Sequence, residues 1–334
     1  MIAKTDDDLN HEPRPDAVWR ESYFFAFYDP NKELWMYTSM GERPFKNHAG
    51  SILTIWDRRG AFANNFIFDS VKRTERVHQT QGLAYECLEP LEKWRLTYKG
   101  TLAKYQKPGL RIDAADMTLE ATKKMPQEEI EFDMIWEAID PCYSYAPVPG
   151  MFDMHLEQHG KLKGWIKIGN EKIDVDGTSI RDRSYGTRDW LSVKGWTWTP
   201  MFIQNPGLPL VASAETRFLD GAADGVGFIY DRSKKQIENI VKFKEEIKRK
   251  EAEHIGIPLK CKFQLHGDQG TTLIYNGEVV KVIPTVLMFK GAPGTQTEGT
   301  CWIDRCLVKY EIKKNQFEYG EVEIGNMLDY RLNL

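Results

Sequence analysis

Short apolar segments recur about every ten residues along this chain, and most of them end at Gly, Pro, Asn or Asp. The segments at 34–39, 51–57 and 94–98 are examples. Segments of this length that are rich in aromatic and β-branched residues are typical of β-strands. A long series at this spacing favours a β-sandwich or β-barrel. We therefore predict an all-β, antiparallel protein.

The chain has 334 residues, which is ample for two domains. Prolines and a glycine interrupt the pattern over residues 141–150, and strand-like segments resume directly afterwards. We therefore predict one β domain over residues 1–150 and a second over residues 151–334. Two segments, at 129–138 and 237–250, fit helical and strand spacing about equally well.

Charge and composition exclude several classes of protein. The 45 basic and 49 acidic residues give a net charge of −4, so no global basic footprint for nucleic acid exists. The chain lacks the run of about 18 uncharged apolar residues that a membrane-spanning helix needs. The first residues have no apolar signal core, and the five cysteines do not form an even disulfide set. We expect a cytoplasmic protein with reduced thiols and no stable membrane insertion.

The densest polar cluster covers residues 181–190 and contains three Arg, two Asp, a Tyr and a Trp. Trp196 and Trp198 follow closely, and in a strand these two indoles share one face. Charges beside apolar strands must be paired or must face a cavity. The residues alone leave two interpretations open. The Arg and Asp side chains could form structural ion pairs, or a buried carboxylate beside an aromatic wall could act as an acid.

Other candidate sites are weaker. His155, Glu157 and His159 alternate, so in a strand they could present two imidazoles and a carboxylate to a metal ion. His159 precedes Gly160 at an expected turn, and ordinary polar side chains are the favoured interpretation. Gly225-Val226-Gly227 is typical of a hairpin turn rather than a nucleotide loop. We predict no metal and no cofactor.

Residues 177–190, read as Gly-Thr-Ser-Ile-Arg-Asp-Arg-Ser-Tyr-Gly-Thr-Arg-Asp-Trp, resemble a long motif of the carotenoid 1,2-hydratase (hydroxyneurosporene synthase-like) superfamily. That motif is Gly-x-x-x-Arg-Asp-His-Ser-Trp-Gly-x-Arg-Asp-Trp. The approach from His155 to Gly177 is similar as well. Residues 19–30 resemble the opening of bacterial members of unknown function.

The resemblance implies two lipocalin-like, calycin-type antiparallel β-barrel domains packed together, with a ligand cavity in or between them. Relatives include hydratases of carotenoids and of a prenylated isoflavonoid, and pericyclases such as fungal Diels–Alderases. Their substrates are apolar molecules enclosed by aromatic side chains.

Two departures from the motif affect the expected chemistry. Arg183 replaces the family's His and Tyr185 replaces its Trp, and the strand at 211–217 lacks the Tyr-x-Asp of the carotenoid hydratases. Arg183 cannot donate a proton at neutral pH, but it can bind an anion. The predicted catalytic residues are Asp182, Tyr185 and Glu215. The predicted substrate-binding residues are Arg183, Arg188, Trp190, Trp196 and Trp198.

These features predict a cofactor-independent hydratase, lyase, isomerase or cyclase for an apolar or aromatic molecule of isoprenoid, steroid or polyketide type. Asp182 or Glu215 would donate a proton, Tyr185 would position water, and the arginines would hold an anionic substituent. The expected partner is therefore a hydrophobic small molecule, and a homodimer stays open. The alternatives are a non-catalytic lipocalin-like carrier and a pericyclase of Diels–Alderase type.

Overall fold

The computed structural model describes residues 2–15, 18–68, 72–80, 82–106, 109–188, 193–202, 210–219, 222–252, 255–290, 298–313 and 315–328. The chain divides into two compact units. The first contains Met1–Lys107 and Leu119–Trp190, and the second contains Pro108–Thr118 and Leu191–Leu334.

Helices are few and short in the described parts of the chain. One α-helix, α1, covers Leu119–Lys124, and 3-10 turns cover Thr5–Asp8, Pro44–Lys46 and Ala115–Met117. No described helix has the length and apolar character that crossing a membrane requires.

Antiparallel strands form almost all of the first unit. They are β1 (Trp19–Asp29), β2 (Leu34–Arg43), β3 (His48–Asp57), β4 (Gly60–Phe68), β5 (Lys72–Arg73), β6 (Val77–Gln79), β7 (Leu83–Glu89), β8 (Lys93–Gln106), β9 (Gln127–Ala138), β10 (Tyr143–Ser144), β11 (Met154–Ile168) and β12 (Glu171–Thr187). Eight of them pair in a ring, in the order β11-β12-β1-β2-β3-β4-β8-β9 and back to β11. The short strands β5, β6, β7 and β10 extend this sheet.

The second unit is a closed up-and-down barrel of eight strands. They are β13 (Val193–Phe202), β14 (Leu210–Leu219), β15 (Ala222–Asp231), β16 (Gln236–Lys250), β17 (Ile257–Gly267), β18 (Thr272–Lys290), β19 (Glu298–Lys313) and β20 (Gln316–Leu328). Closure pairs β13 with β20, so the barrel has no free sheet edge.

The predicted fold class is confirmed: the chain is all-β, with two lipocalin-like antiparallel units. The domain boundary expected near residue 150 lies inside the first unit. Strands β11 and β12 follow that position in sequence, yet β12 pairs along its length with β1. The prolines at 141–149 mark a connection within the first unit, and the two units divide at residues 190 and 191.

Strict alternation of side chains builds the core of the first unit. In β9, Ile130, Phe132, Met134 and Trp136 are almost fully buried, whereas the intervening side chains are partly or fully exposed. Period-two burial is the signature of a strand, so the segment at 129–138 is a strand rather than a helix. Burial of each such side chain stabilises the fold by about 1.5–3 kcal/mol.

Two predicted turns are instead continuous strand, and close packing gives the reason. Gly160 lies within β11, where a Cβ would meet the Trp136 indole at 2.4 Å. Gly227 lies within β15, where a Cβ would meet the carbonyl oxygen of Ser213 at 2.2 Å. The glycines therefore allow close approach of a neighbouring group and do not reverse the chain.

The segment at 237–250 is also a strand. It belongs to β16, which pairs with β15 and β17. The five cysteines are buried free thiols, as the odd count predicted.

Candidate functional site

The charged motif lies on β12, and the strand divides its side chains between two faces. Arg181, Arg183 and Tyr185 lie on the face toward the core of the first unit, and Asp182 and Ser184 lie on the opposite face. The pairings of β12 with β1 and β11 run without a bulge, so the alternation holds through the motif. Two predicted catalytic groups, Asp182 and Tyr185, are therefore not brought together.

Arg181 forms a buried ion pair with the N-terminal segment. Its guanidinium donates to Asp8 Oδ1 at 2.6 Å and Oδ2 at 3.2 Å, and to Gln158 Oε1 at 2.6 Å. The cation also lies 4.8 Å from the centre of the Trp136 ring and 5.6 Å from that of Trp94. A bidentate carboxylate and two aromatic faces compensate the burial of this charge.

Arg183 holds the same segment. It donates to the carbonyl oxygens of Asp7 (2.8 Å) and Leu9, and to Glu21 Oε1 at 2.5 Å, and it lies over the ring of Tyr23. Arg183 thus binds a carboxylate, as its chemistry predicts, but that carboxylate belongs to the chain itself. These contacts give Arg183 a structural role, and the substrate-binding role predicted for it stays a prediction.

Glu21 is the centre of a wider buried network. Arg73 Nη1 donates to Glu21 Oε2 and to Glu42 Oε1, both at 2.9 Å, and His11 Nδ1 lies 3.1 Å from Glu21 Oε1. Burial raises the pKa of Glu21, but the hydrogen bond with His11 and the charge of Arg183 outweigh it and leave that pKa below its ordinary value. The carboxylate is thus held in its charged form.

His78 lies beside this network, and its imidazole is uncharged. Its ring lies 5.0 Å from that of Tyr23 and is almost completely buried. Burial lowers the pKa of His78 to about 3, although the charge of Glu21 opposes the shift. The imidazole is therefore neutral in the folded protein at neutral pH.

Tyr185 contacts the N-terminal segment as well. Its ring stacks on His11 with centroids 3.7 Å apart. Burial raises the pKa of the Tyr185 phenol above its ordinary value. Tyr185 therefore lies against the N-terminal segment, on the face of β12 opposite to Asp182, and its role in positioning water stays a prediction.

The opposite face of β12 carries Asp182 and Ser184, which lie beside two titratable side chains of β11. Asp182 lies opposite Glu157 of β11 and Phe24 of β1, and His155 lies opposite Ser184. The His155 Nε2 atom is 3.0 Å from Glu157 Oε1, and the Glu157 side chain is fully buried. Sequence reasoning treated His155 and Glu157 as ordinary polar residues, although their alternate spacing was the signal that placed them on one face.

Aromatic rings surround the His155 imidazole. The Tyr145 ring lies 4.8 Å away and the Phe152 ring 5.2 Å away. The backbone N–H of Tyr145 donates to the His155 carbonyl oxygen at 2.8 Å, which fixes this wall against β11.

Arg188 reaches the same face as His155. It donates through Nη2 to Ser184 Oγ at 3.0 Å and through Nε to the Met151 carbonyl oxygen at 3.1 Å. The Ser184 hydroxyl is in turn 3.1 Å from that of Ser22. We define His155, Glu157, Asp182, Ser184 and Arg188 as the acid–base face.

Trp196 and Trp198 of the second unit share the outward face of β13, as predicted, and both are buried. Trp198 lies opposite Glu215 of β14, so a predicted carboxylate does adjoin a predicted indole. Trp196 Nε1 donates to Glu323 Oε1 at 2.6 Å, and Glu323 also pairs with Arg305. The predicted Trp190 lies outside the described residues.

Comparison with known proteins found one matching family model and several solved structures of the same fold. The family model described as "Domain of unknown function (DUF7064)" matches residues 4–310. No curated protein sequence matches the chain significantly.

Several solved structures share the fold. An AttH-like protein from Nitrosomonas europaea has a TM-score of 0.63 and 12% identity, with 94% of this chain and 93% of that chain covered. Kievitone hydratase from Nectria haematococca has a TM-score of 0.58 and 11% identity, with 97% and 93% covered. CghA with Sch210972 has a TM-score of 0.54 and 7% identity, with 94% and 89% covered. The predicted resemblance is confirmed at the level of the fold.

The Asp8→Asn variant tests the ion pair with Arg181. Asn keeps the shape of the side chain but leaves a buried guanidinium without its counter-charge, so we expect a loss of about 3–5 kcal/mol in the free energy of unfolding. Urea denaturation measures this loss. Asp6→Asn, in the same turn but exposed, is the matched control and should change stability by less than about 0.5 kcal/mol. Equal small effects of both variants would show that the pair is not needed.

The low pKa of His78 predicts a pH dependence of stability. The unfolded chain binds a proton near pH 6.5 that the folded chain accepts only near pH 3. Stability from this group is therefore complete above pH 6.5 and is lost as pH falls toward 3, by about 1.4 kcal/mol per pH unit.

Denaturant unfolding of wild type and His78→Phe between pH 4 and pH 8 measures this contribution. The variant should lose less stability than wild type below about pH 6, and the two slopes should coincide above pH 7. Identical slopes at acidic pH would contradict a buried neutral His78.

Proposed function

This chain belongs to the DUF7064 family, and we propose that it is an enzyme that hydrates, dehydrates or isomerises a small, largely apolar molecule by acid–base chemistry. The observation that carries this function is the hydrogen-bonded His155–Glu157 pair, buried beside Asp182 and among aromatic rings. Kievitone hydratase, a hydratase of the same fold, supports hydration as one of the reactions that such a framework can carry.

The pair suits proton transfer for a physical reason. A carboxylate on one imidazole nitrogen fixes the tautomer and the ring orientation, and it stabilises the imidazolium that forms when the other nitrogen takes a proton. Glu157 on Nε2 therefore makes Nδ1 of His155 the basic atom. Both side chains are buried, and burial strengthens their electrostatic interactions.

A hydration cycle balances with these residues. Asp182 gives its proton to one alkene carbon, the oxygen of a water molecule bonds to the neighbouring carbon, and His155 accepts the proton that this water loses. The proton then returns from His155 to Asp182, so the net change is the addition of one water molecule. Dehydration is the same sequence reversed.

Other side chains have supporting roles in this proposal. Arg188 reaches Ser184 and is the cation that would hold an oxygen substituent of the substrate. Phe152 and Tyr145 form an apolar and aromatic wall for the substrate. None of these steps needs a cofactor.

The most direct way to identify the substrate is to look for a small molecule that co-purifies with the protein. Native mass spectrometry of protein purified from its host would detect a co-purified small molecule. A panel of prenylated phenols, isoprenoid alkenes and steroids in ¹⁸O-labelled water then tests turnover, because hydration adds labelled water to the product mass. An enzyme of this class should label at least one panel member or convert the co-purified molecule.

Glu157→Gln and Asp182→Asn test the acid–base roles. Each variant keeps the shape of its side chain and removes the charge or the transferable proton, so we expect turnover to fall about 10²- to 10⁴-fold. Glu120→Gln, an exposed carboxylate of the first unit, is the control and should keep full activity.

Two outcomes would overturn this function. Changes below about tenfold in both variants would indicate catalysis by shape alone, as in a pericyclase. A co-purified molecule that stays bound and unconverted in all variants would indicate the lipocalin-like carrier, a role that the closed barrel of the second unit also suits.

A further inference from the structure

The outer surface of β16 and β17 carries a concentration of positive charge that the overall charge of −4 conceals. The outward positions are 242, 244, 246, 248 and 250 of β16 and 260 and 262 of β17. All seven side chains are exposed, and of these seven only Glu246 is acidic. We define the lysine face as Glu246 with Lys242, Lys244, Lys248, Lys250, Lys260 and Lys262.

Outward placement follows from the burial of the alternate side chains. On β16, Phe243 and Ile247 pack against the core of the barrel, so the even-numbered positions from 242 to 250 point away from it. On β17, Cys261 and Phe263 are core residues, which directs Lys260 and Lys262 outward.

The pairing across the two strands is unfavourable at one point. Glu246 lies opposite Lys262 and forms an ion pair of 3.2 Å with it. Lys248, in contrast, lies directly opposite Lys260. Like charges in direct cross-strand register repel each other, and the ion pair of 3.2 Å between Lys260 and Glu278 of β18 offsets only part of that repulsion.

A depression adjoins the lysine face. Its volume is about 470 Å³, and Cys261, Asn276 and Gly277 are among the residues that line it. Lys248, Lys260, Lys262 and Lys309 line it, together with Glu246, Glu278, Glu311 and Phe317. Four ammonium groups and three carboxylates leave this open hollow with a small excess of positive charge, which attracts the phosphate of a lipid headgroup.

Apolar side chains lie exposed beside these lysines. Val241 and Ile274 are 63% and 53% exposed, and Phe317 is 43% exposed under the Lys309 ammonium group. Long lysine stems can lie along an apolar boundary while their charges stay at the headgroups, and neighbouring apolar side chains can enter that boundary.

We infer that the lysine face is a docking surface for a membrane that contains anionic phospholipids. Charge complementarity supplies the attraction, and the exposed apolar side chains favour a membrane over a purely polar polyanion. All six cations are lysines, whereas nucleic-acid recognition favours the bidentate geometry of arginine. The nearby Arg249 faces inward, where it donates to the carbonyl oxygen of Gly256 at 2.7 Å.

Co-sedimentation of the full chain with vesicles tests this surface. We expect binding to vesicles of phosphatidylcholine with roughly 30% phosphatidylserine at about 0.1 M salt, and loss of binding to pure phosphatidylcholine or at high salt. Lys248→Glu/Lys260→Glu should weaken binding by at least about tenfold. Lys248→Arg/Lys260→Arg, which keeps the charge, should bind like wild type.

Lys99→Glu/Lys163→Glu is the matched control on exposed lysines of the first unit and should bind normally. The single variant Lys248→Glu separates binding from folding. It replaces a repulsive pair with an attractive one, so its thermal midpoint should rise while its vesicle binding falls.

Three results would overturn the inference. They are equal binding to neutral vesicles, unchanged binding by the charge-reversed variant, and binding to a labelled DNA duplex without binding to anionic vesicles.

Discussion

The buried ion pair between Arg181 and Asp8 is the interaction on which the first unit depends. A guanidinium with almost no exposure is stable only if an anion and further hydrogen-bond acceptors are brought to it. Asp8, Gln158 and two indole rings meet that need. The requirement fixes the N-terminal segment against the sheet, and Arg183 extends it through the backbone of Asp7 and Leu9.

Strand alternation gives one short motif two separate tasks. The odd-numbered positions 181, 183 and 185 hold the N-terminal segment, and the even-numbered positions 182 and 184 join His155 and Glu157 on the other face. Of the two interpretations that the sequence left open, the structure shows ion pairs for Arg181 and Arg183. The acid role stays a prediction for Asp182 on the other face of the same strand.

Some features could be predicted because they depend on local pattern. The strands, the shared face of Trp196 and Trp198, and the free cysteines follow from period-two spacing and composition. The turn expected at Gly160 failed because the Trp136 indole, distant in sequence, occupies the space of a side chain there. The contacts of Arg183 and Tyr185 could not be predicted, because Glu21 and His11 reach them only in the folded chain.

By itself the sequence determined the all-β class, the lipocalin-like family resemblance and the position of the charged motif, since these are written in local spacing and residue type. Only the tertiary structure decided which charges of the motif are neutralised inside the protein and which face the acid–base groups. Asp8 and Arg181 are 173 residues apart in the chain, and no local pattern specifies a pair at that separation. Strand pairing and the cost of an uncompensated buried charge select it.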